Sequence, residues 1–137
     1  MRLLLEVALY QHLGPVTLSD IASRQGISQA YLWQVVTPLA TAGILRAKRG
    51  SQGGYVLSRD PSKITLGDIV EILEGTHSFA VTQGAPKEDQ NYVSSTAHEM
   101  WVEIEKQVTA ILGKITLEDM VVRLHETESG SSPNYVI

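Results

Sequence analysis

From Thr17 to Ser58 the chain reads TLSDIASRQGISQAYLWQVVTPLATAGILRAKRGSQGGYVLS, and the local signals in this stretch decide the fold. Thr17 is an N-cap residue with Asp20 three positions on, so a helix begins at Leu18, and Gly26 ends it. Ser28 caps a second helix over Gln29 to Val36, where Tyr31, Leu32, Val35 and Leu39 recur at the spacing of one buried face. Pro38 lacks an N–H, so the helix is expected to end or kink there, with Thr37 capping a last turn to Ala42. Beyond Gly43 the periodicity becomes that of a strand. Ile44 and Leu45 lead into Arg46, Lys48 and Arg49, then Gly50-Ser51-Gln52-Gly53-Gly54, then Tyr55-Val56-Leu57. Two short helices joined by a glycine turn and followed by a glycine-tipped, basic hairpin spell a winged helix-turn-helix. In that arrangement the second helix enters the DNA major groove and the hairpin, or wing, reaches an adjacent groove or the backbone.

The candidate DNA contacts follow from this placement. Gln29, Ala30, Trp33, Gln34 and Thr37 fall on the face of the second helix opposite its apolar side, with Ser28 at its start. Glutamine suits bidentate contact with adenine, while alanine and the threonine methyl suit the methyl of thymine. Trp33 is equally suited to turning back over the core. The wing contributes Arg46, Lys48, Arg49, Gly50, Gly53 and Gly54. Arg49 beside the tip is the best groove or phosphate contact; its competing reading is a solvated strand-edge arginine that deters aggregation.

The bulk numbers suit one domain with an appendage: 137 residues, 43% hydrophobic and 19% charged. The net charge of -4 is unevenly spread. Residues 1–60 carry six basic and three acidic side chains, whereas residues 61–137 carry five and twelve. Positive charge therefore gathers where the helix-turn-helix lies, as phosphate binding requires. There is no cysteine, which excludes disulfides, thiolate metal sites and a cysteine nucleophile. No apolar run reaches the roughly 18 residues of a membrane span, and Glu6 interrupts Leu3-Leu4-Leu5 too soon for a signal sequence. A cytoplasmic chain without membrane contact is the expectation.

The remaining chain frames this head. Arg2 to Leu13 reads as a helix with Leu3, Leu4, Val7, Ala8 and Gln11 on one stripe, ended by Gly14-Pro15. Tyr10 and His12 read as ordinary packing or capping groups. Thr65 caps a helix from Leu66 to Glu74, largely buried through Leu66, Ile69, Val70, Ile72 and Leu73, with Gly75 at its end. Periodicity then fails as far as Ser95. A further helix runs from a Thr96 cap to Gly113 with Ala97, Trp101, Ile104, Val108 and Ile111 in the a/d pattern of a coiled coil. Ile115-Thr116-Leu117-Glu118-Asp119 opens a short helix to about His125, and a loose tail follows. The expected division is a winged helix-turn-helix over 1–75, a loop and sensor over 76–95, dimerisation helices over 96–125 and a flexible tail over 126–137. Trp101, Ile104, Val108 and Ile111 are the candidate dimer seam. His77, Phe79, Gln83, Lys87 and Tyr92 are the candidate effector contacts, for a small molecule or a regulatory protein.

The stretches Ile21 to Ser28, Tyr31-Leu32, Pro38-Leu39, Ala42 to Leu45, Arg49-Gly50, Gly53 to Leu57 and Ile64 to Val70 together resemble the bacterial Rrf-two family of transcription regulators. Trp101 and Ile115 to Asp119 resemble its dimerisation region, so the likeness spans most of the chain. The resemblance implies a homodimer with paired winged helices, crossed C-terminal helices and a palindromic operator in double-stranded DNA. It marks Ala30 and Gln34 as base-reading positions and Arg49 as the wing arginine. Trp33 departs from the glutamate that often stands at its position, and a Ser/Thr-Lys-Gly-Arg-Tyr opening before the first helix is absent, implying either a truncated start or fewer phosphate contacts. Cluster-binding members carry cysteines in the loop before the long helix. With none here, a thiolate-held iron–sulfur cluster is excluded and the chain resembles the cluster-free, CymR-like branch. His98, near the position of a cluster-ligating histidine, reads as a helix-surface residue. No cofactor or metal is expected.

No nucleotide loop, metalloprotease spacing or nucleophile motif is present, and Glu99, Glu103 and Glu105 read as a solvated helix face, so an enzyme is not expected. Two readings stand: a dimeric DNA-binding regulator, as a repressor, or a winged helix retained as a protein-interaction module that no longer binds DNA. The basic wing beside a polar recognition face favours the first.

Overall fold

The computed structural model describes residues 1–75 and 92–130. It is mainly α-helical with one two-stranded antiparallel hairpin, the expected class. Helix α1 spans Arg2–Tyr10 and passes through a 3-10 turn, Gln11–Leu13, before α2 (Leu18–Gln25) and α3 (Gln29–Thr41). The hairpin pairs β1 (Leu45–Lys48) with β2 (Gly54–Leu57), and a 3-10 turn over Pro61–Lys63 leads to α4 (Leu66–Glu74). Two helices complete the chain, α5 (Tyr92–Lys114) and α6 (Leu117–Gly130). Among the described residues no helix is long and apolar enough to cross a membrane.

The helix starts are fixed by the caps read from the sequence. The hydroxyls of Thr17 and Ser28 accept from the backbone N–H of Asp20 and Tyr31, both at 3.1 Å. Thr65 and Asp68 form a reciprocal capping box at α4. Gly26 takes the left-handed conformation, φ 62°, that lets α2 turn into α3.

Several expectations need correction. Pro38 lies inside α3 without ending it: the helix loses one hydrogen bond there, while Val36 and Leu39 hold both sides in the core. The buried stripe of α3 is Leu32, Val36 and Leu39; Val35 is half-buried and Tyr31 is exposed, about one residue round the helix from the stripe. In α4 only Ile69 is buried, and Val70 faces out. Thr96 is no cap. Helix α5 already runs from Tyr92, and the Thr96 hydroxyl donates back to the Tyr92 carbonyl at 2.8 Å. Helix α6 continues past His125 to Gly130, so residues 126–130 of the expected tail are helical.

The core is one cluster that draws Leu3, Leu4 and Val7 from α1, Ile21 from α2, Leu32, Val36 and Leu39 from α3, Ile44 and Leu45 from the hairpin, and Ile69 from α4. Leu117, the first residue of α6, is 0% exposed within that same cluster, so the head's core draws on the chain beyond α5. Backbone pairing brings it there. Leu66 N–H donates to the Ile115 carbonyl and Leu117 N–H to the Ile64 carbonyl, each at 2.8 Å, around a bridge between Thr65 and Thr116.

Glu6 on α1 is 5% exposed, a burial the apolar stripe does not announce. Its carboxylate accepts from Arg24 Nε at 2.7 Å and Gln25 Nε2 at 2.6 Å, and the Arg24 guanidinium lies 4.4 Å from the centre of the Tyr10 ring. This clamp joins α1 to the end of α2. It also removes Arg24 from the cations free to meet phosphate.

Candidate nucleic-acid interface

Helix α3 stands on its buried stripe with Ser28, Gln29, Ala30, Trp33, Gln34 and Thr37 all on the exposed side. The caps aim that face: Ser28 fixes where the helix begins, and Arg59 Nη2 donates to the Ala42 carbonyl at 3.1 Å where it ends. Trp33 does not cover the core. Its indole meets the Tyr55 ring of β2 edge-on, linking the helix to the wing.

Hairpin register splits the basic strand. Arg46 pairs with Val56, Ala47 with Tyr55 and Lys48 with Gly54. Since side chains alternate across a strand, Arg46 and Lys48 share the face away from Tyr55, and so away from α3. Arg49 stands beyond them at the exposed tip. Among the described residues no ion pair holds Arg46, Lys48 or Arg49.

The wing glycines have reasons inside the chain. A Cβ at Gly54 would lie 2.7 Å from the carbonyl carbon of Val16, whose backbone pairs with Tyr55 through bonds of 2.9 and 2.8 Å. A Cβ at Gly53 would meet the Lys48 carbonyl oxygen at 2.6 Å. Of the three, Gly50 alone has open space around it, at φ 125°. The Gln11 side chain adds a brace by accepting from Leu57 N–H at 2.9 Å. Sequence reasoning missed this contact because the partners lie far apart in the chain.

On α5 the side chains of Trp101, Ile104, Val108 and Ile111 are 36–58% exposed. The helix packs against α4 on another side, where Gly67 faces Gly113 closely enough that a Cβ would stand 3.6 Å from its backbone. Of the candidate effector residues, His77, Phe79, Gln83 and Lys87 lie outside the described residues, and Tyr92 at the start of α5 is 93% exposed. His98 is half-buried rather than a surface residue, and among the described residues its enclosed Nδ1 has no hydrogen-bond partner.

A solvent-facing polar helix face beside a glycine-tipped basic hairpin, carried on a three-helix core, makes this a winged helix-turn-helix protein. The Rrf2 family model, described as an iron-dependent transcriptional regulator, matches residues 1–123, and the chain belongs to that family. It is 37% identical over 118 residues to the HTH-type transcriptional regulator CymR of Bacillus subtilis, covering 86% of this chain and 80% of that protein. To the regulator IscR of Xenorhabdus nematophila it is 36% identical over 119 residues, covering 86% and 71%. Among solved structures, CymR, the global cysteine regulator of B. subtilis, has a TM-score of 0.75 at 36% identity and covers 89% of each chain. IscR of T. potens has a TM-score of 0.75 at 35% identity and covers 92% of this chain and 82% of that one. These relatives are transcriptional regulators, not enzymes, in keeping with the sequence.

Iron held by thiolates does not fit the residues present. The sequence has no cysteine, and among the described residues no three His, Asp or Glu side chains come together as ligands.

Proposed function

We propose that this chain acts in the bacterial cytoplasm as a homodimeric, sequence-specific DNA-binding repressor that works without an iron–sulfur cluster. The observation that carries the reading is the outward face of α3, with Gln29, Ala30, Gln34 and Thr37 exposed together, and Arg49 exposed at the tip of the wing. Gln29 and Gln34 read base edges, Arg49 enters a groove or binds phosphate, and Arg46 and Lys48 on the other face of the wing serve the backbone path. Two copies joined through Trp101, Ile104, Val108 and Ile111 set the spacing of two half-sites on a palindromic operator. An effector, a small molecule or a partner protein, acts through the segment between α4 and α5 by preferring one spacing of the two heads. A preference of about 1–3 kcal/mol changes operator affinity roughly 5- to 150-fold.

A gel-shift titration against DNA fragments at several salt concentrations tests this directly. With roughly 6 to 10 phosphates neutralised per dimer, log K falls against log salt with a slope of about -5 to -9. A flat salt response would remove DNA from the reading.

A further inference from the structure

Trp33 is a large apolar side chain left 53% exposed on a helix whose core side is already closed by Leu32, Val36 and Leu39. Its ring meets Tyr55 with centroids 6.5 Å apart and planes at 82°, the edge-to-face geometry that aromatic quadrupoles favour. That contact comes from the wing and leaves much of the indole in solvent on the outward face of α3. Ala30 and Thr37 flank it on the same side, three residues before and four after, and both are exposed. The Thr37 hydroxyl donates to the Trp33 carbonyl at 2.9 Å. Its one O–H donor is thus spent inside the helix, so Thr37 offers the groove its methyl and an acceptor oxygen but no donor. Ala30, Trp33 and Thr37 form an exposed apolar strip through a face otherwise made of Gln29 and Gln34.

The major groove offers such a strip one matching feature, the C5 methyl of thymine, since the other groups on the base edges there are donors or acceptors. We infer that this strip reads the C5 methyl of pyrimidines, with the indole as the principal contact and Tyr55 holding it in place. Specificity for a 5-methyl pyrimidine is then built jointly by the recognition helix and the wing. The inference rests on the reading of α3 as a DNA-reading helix. A C5-methylated cytosine presents an equivalent methyl and belongs to the same ligand class.

The test begins by selecting bound sequences from a random duplex pool with the full chain. Each thymine of the selected site is then replaced singly by deoxyuridine, which removes the methyl and keeps the hydrogen-bonding edges. Burying one methyl is worth about a four-fold change in affinity, so uridine at one or two positions per half-site weakens wild-type binding by about that factor. Trp33→Ala loses the thymine-over-uridine preference at those positions. Tyr55→Leu reduces it, whereas Tyr55→Phe, which keeps the ring, preserves it. Circular dichroism without DNA confirms that each variant is folded, as the exposure of Trp33 leads one to expect. If the wild type tolerates uridine everywhere, or if the preference survives in Trp33→Ala, the inference fails while DNA binding stands. If no sequence is enriched at all, the DNA-binding reading fails and takes this inference with it.

Discussion

Helices α3 and α5 are both amphipathic, and they differ in where their apolar residues go. In α3 the stripe of Leu32, Val36 and Leu39 is sealed inside the chain's own core, which leaves the opposite face free to carry glutamines and an indole. In α5, 23 residues long, no residue is buried, and the stripe from Trp101 to Ile111 is left 36–58% exposed. A helix with its partner in the same chain can spend its outer face on recognition. One whose apolar side stays open calls for a partner from outside, which is why we assign that stripe to a second copy.

The largest expected effect lies where the two regions meet. Leu117 follows α5 in sequence yet is fully buried in the head, so Leu117→Ala should lower stability by about 2–5 kcal/mol in urea denaturation. A loss below about 1 kcal/mol would mean that the head closes its core without α6. Next comes the open stripe itself. Ile104→Asp would place a charge against its symmetry mate, and sedimentation should then find monomers whose far-ultraviolet dichroism is unchanged. Dimers that persist in this variant would move the contact to another surface. Arg49→Ala should weaken DNA binding by about 1–3 kcal/mol with the fold intact, and unaltered affinity would return this arginine to solvent.

The smallest effect concerns the box that starts α6. The Thr116 backbone N–H and side chain, bonded to Asp119, hold its carboxyl below the usual aspartate range. A carboxyl with a lower pKa in the folded state binds its proton more readily when unfolded. Its contribution is therefore complete above the ordinary aspartate range and is lost as pH falls through the lowered value. Asp119→Asn should make melting temperature slightly less sensitive to acid, and an unaltered acid limb would show that the box contributes nothing measurable.

What could be read beforehand was whatever depends on neighbours in sequence. Thr17, Ser28 and Thr65 announce their helices because a cap bonds within three residues, and the wing's glycines announce a turn. The same logic misplaced the start of α5, because a threonine that can cap a helix can also bond to the carbonyl four residues back, as Thr96 does. Pro38 misled because packing at Val36 and Leu39 outweighs one missing hydrogen bond. The buried Glu6 could not be foreseen, since the group that makes its burial tolerable is an arginine 18 positions away. Of the outward face of α3, which residues stand exposed was legible. The pairing of Trp33 with Tyr55, and the turning of Arg46 and Lys48 away from α3, depend on hairpin register, which no local spacing in the sequence fixes.

The bridge between Thr65 and Thr116 has a mechanical consequence. It fastens the start of α4 to the start of α6, so the 51 positions from one threonine to the other form a loop closed at its base by two backbone hydrogen bonds. Only the C-terminal end of helix α5 reaches that closure, where Gly113 lies against Gly67 at the start of α4. Any displacement of that end of α5 would meet the first turns of α4 and α6 directly, one residue from the buried Leu117.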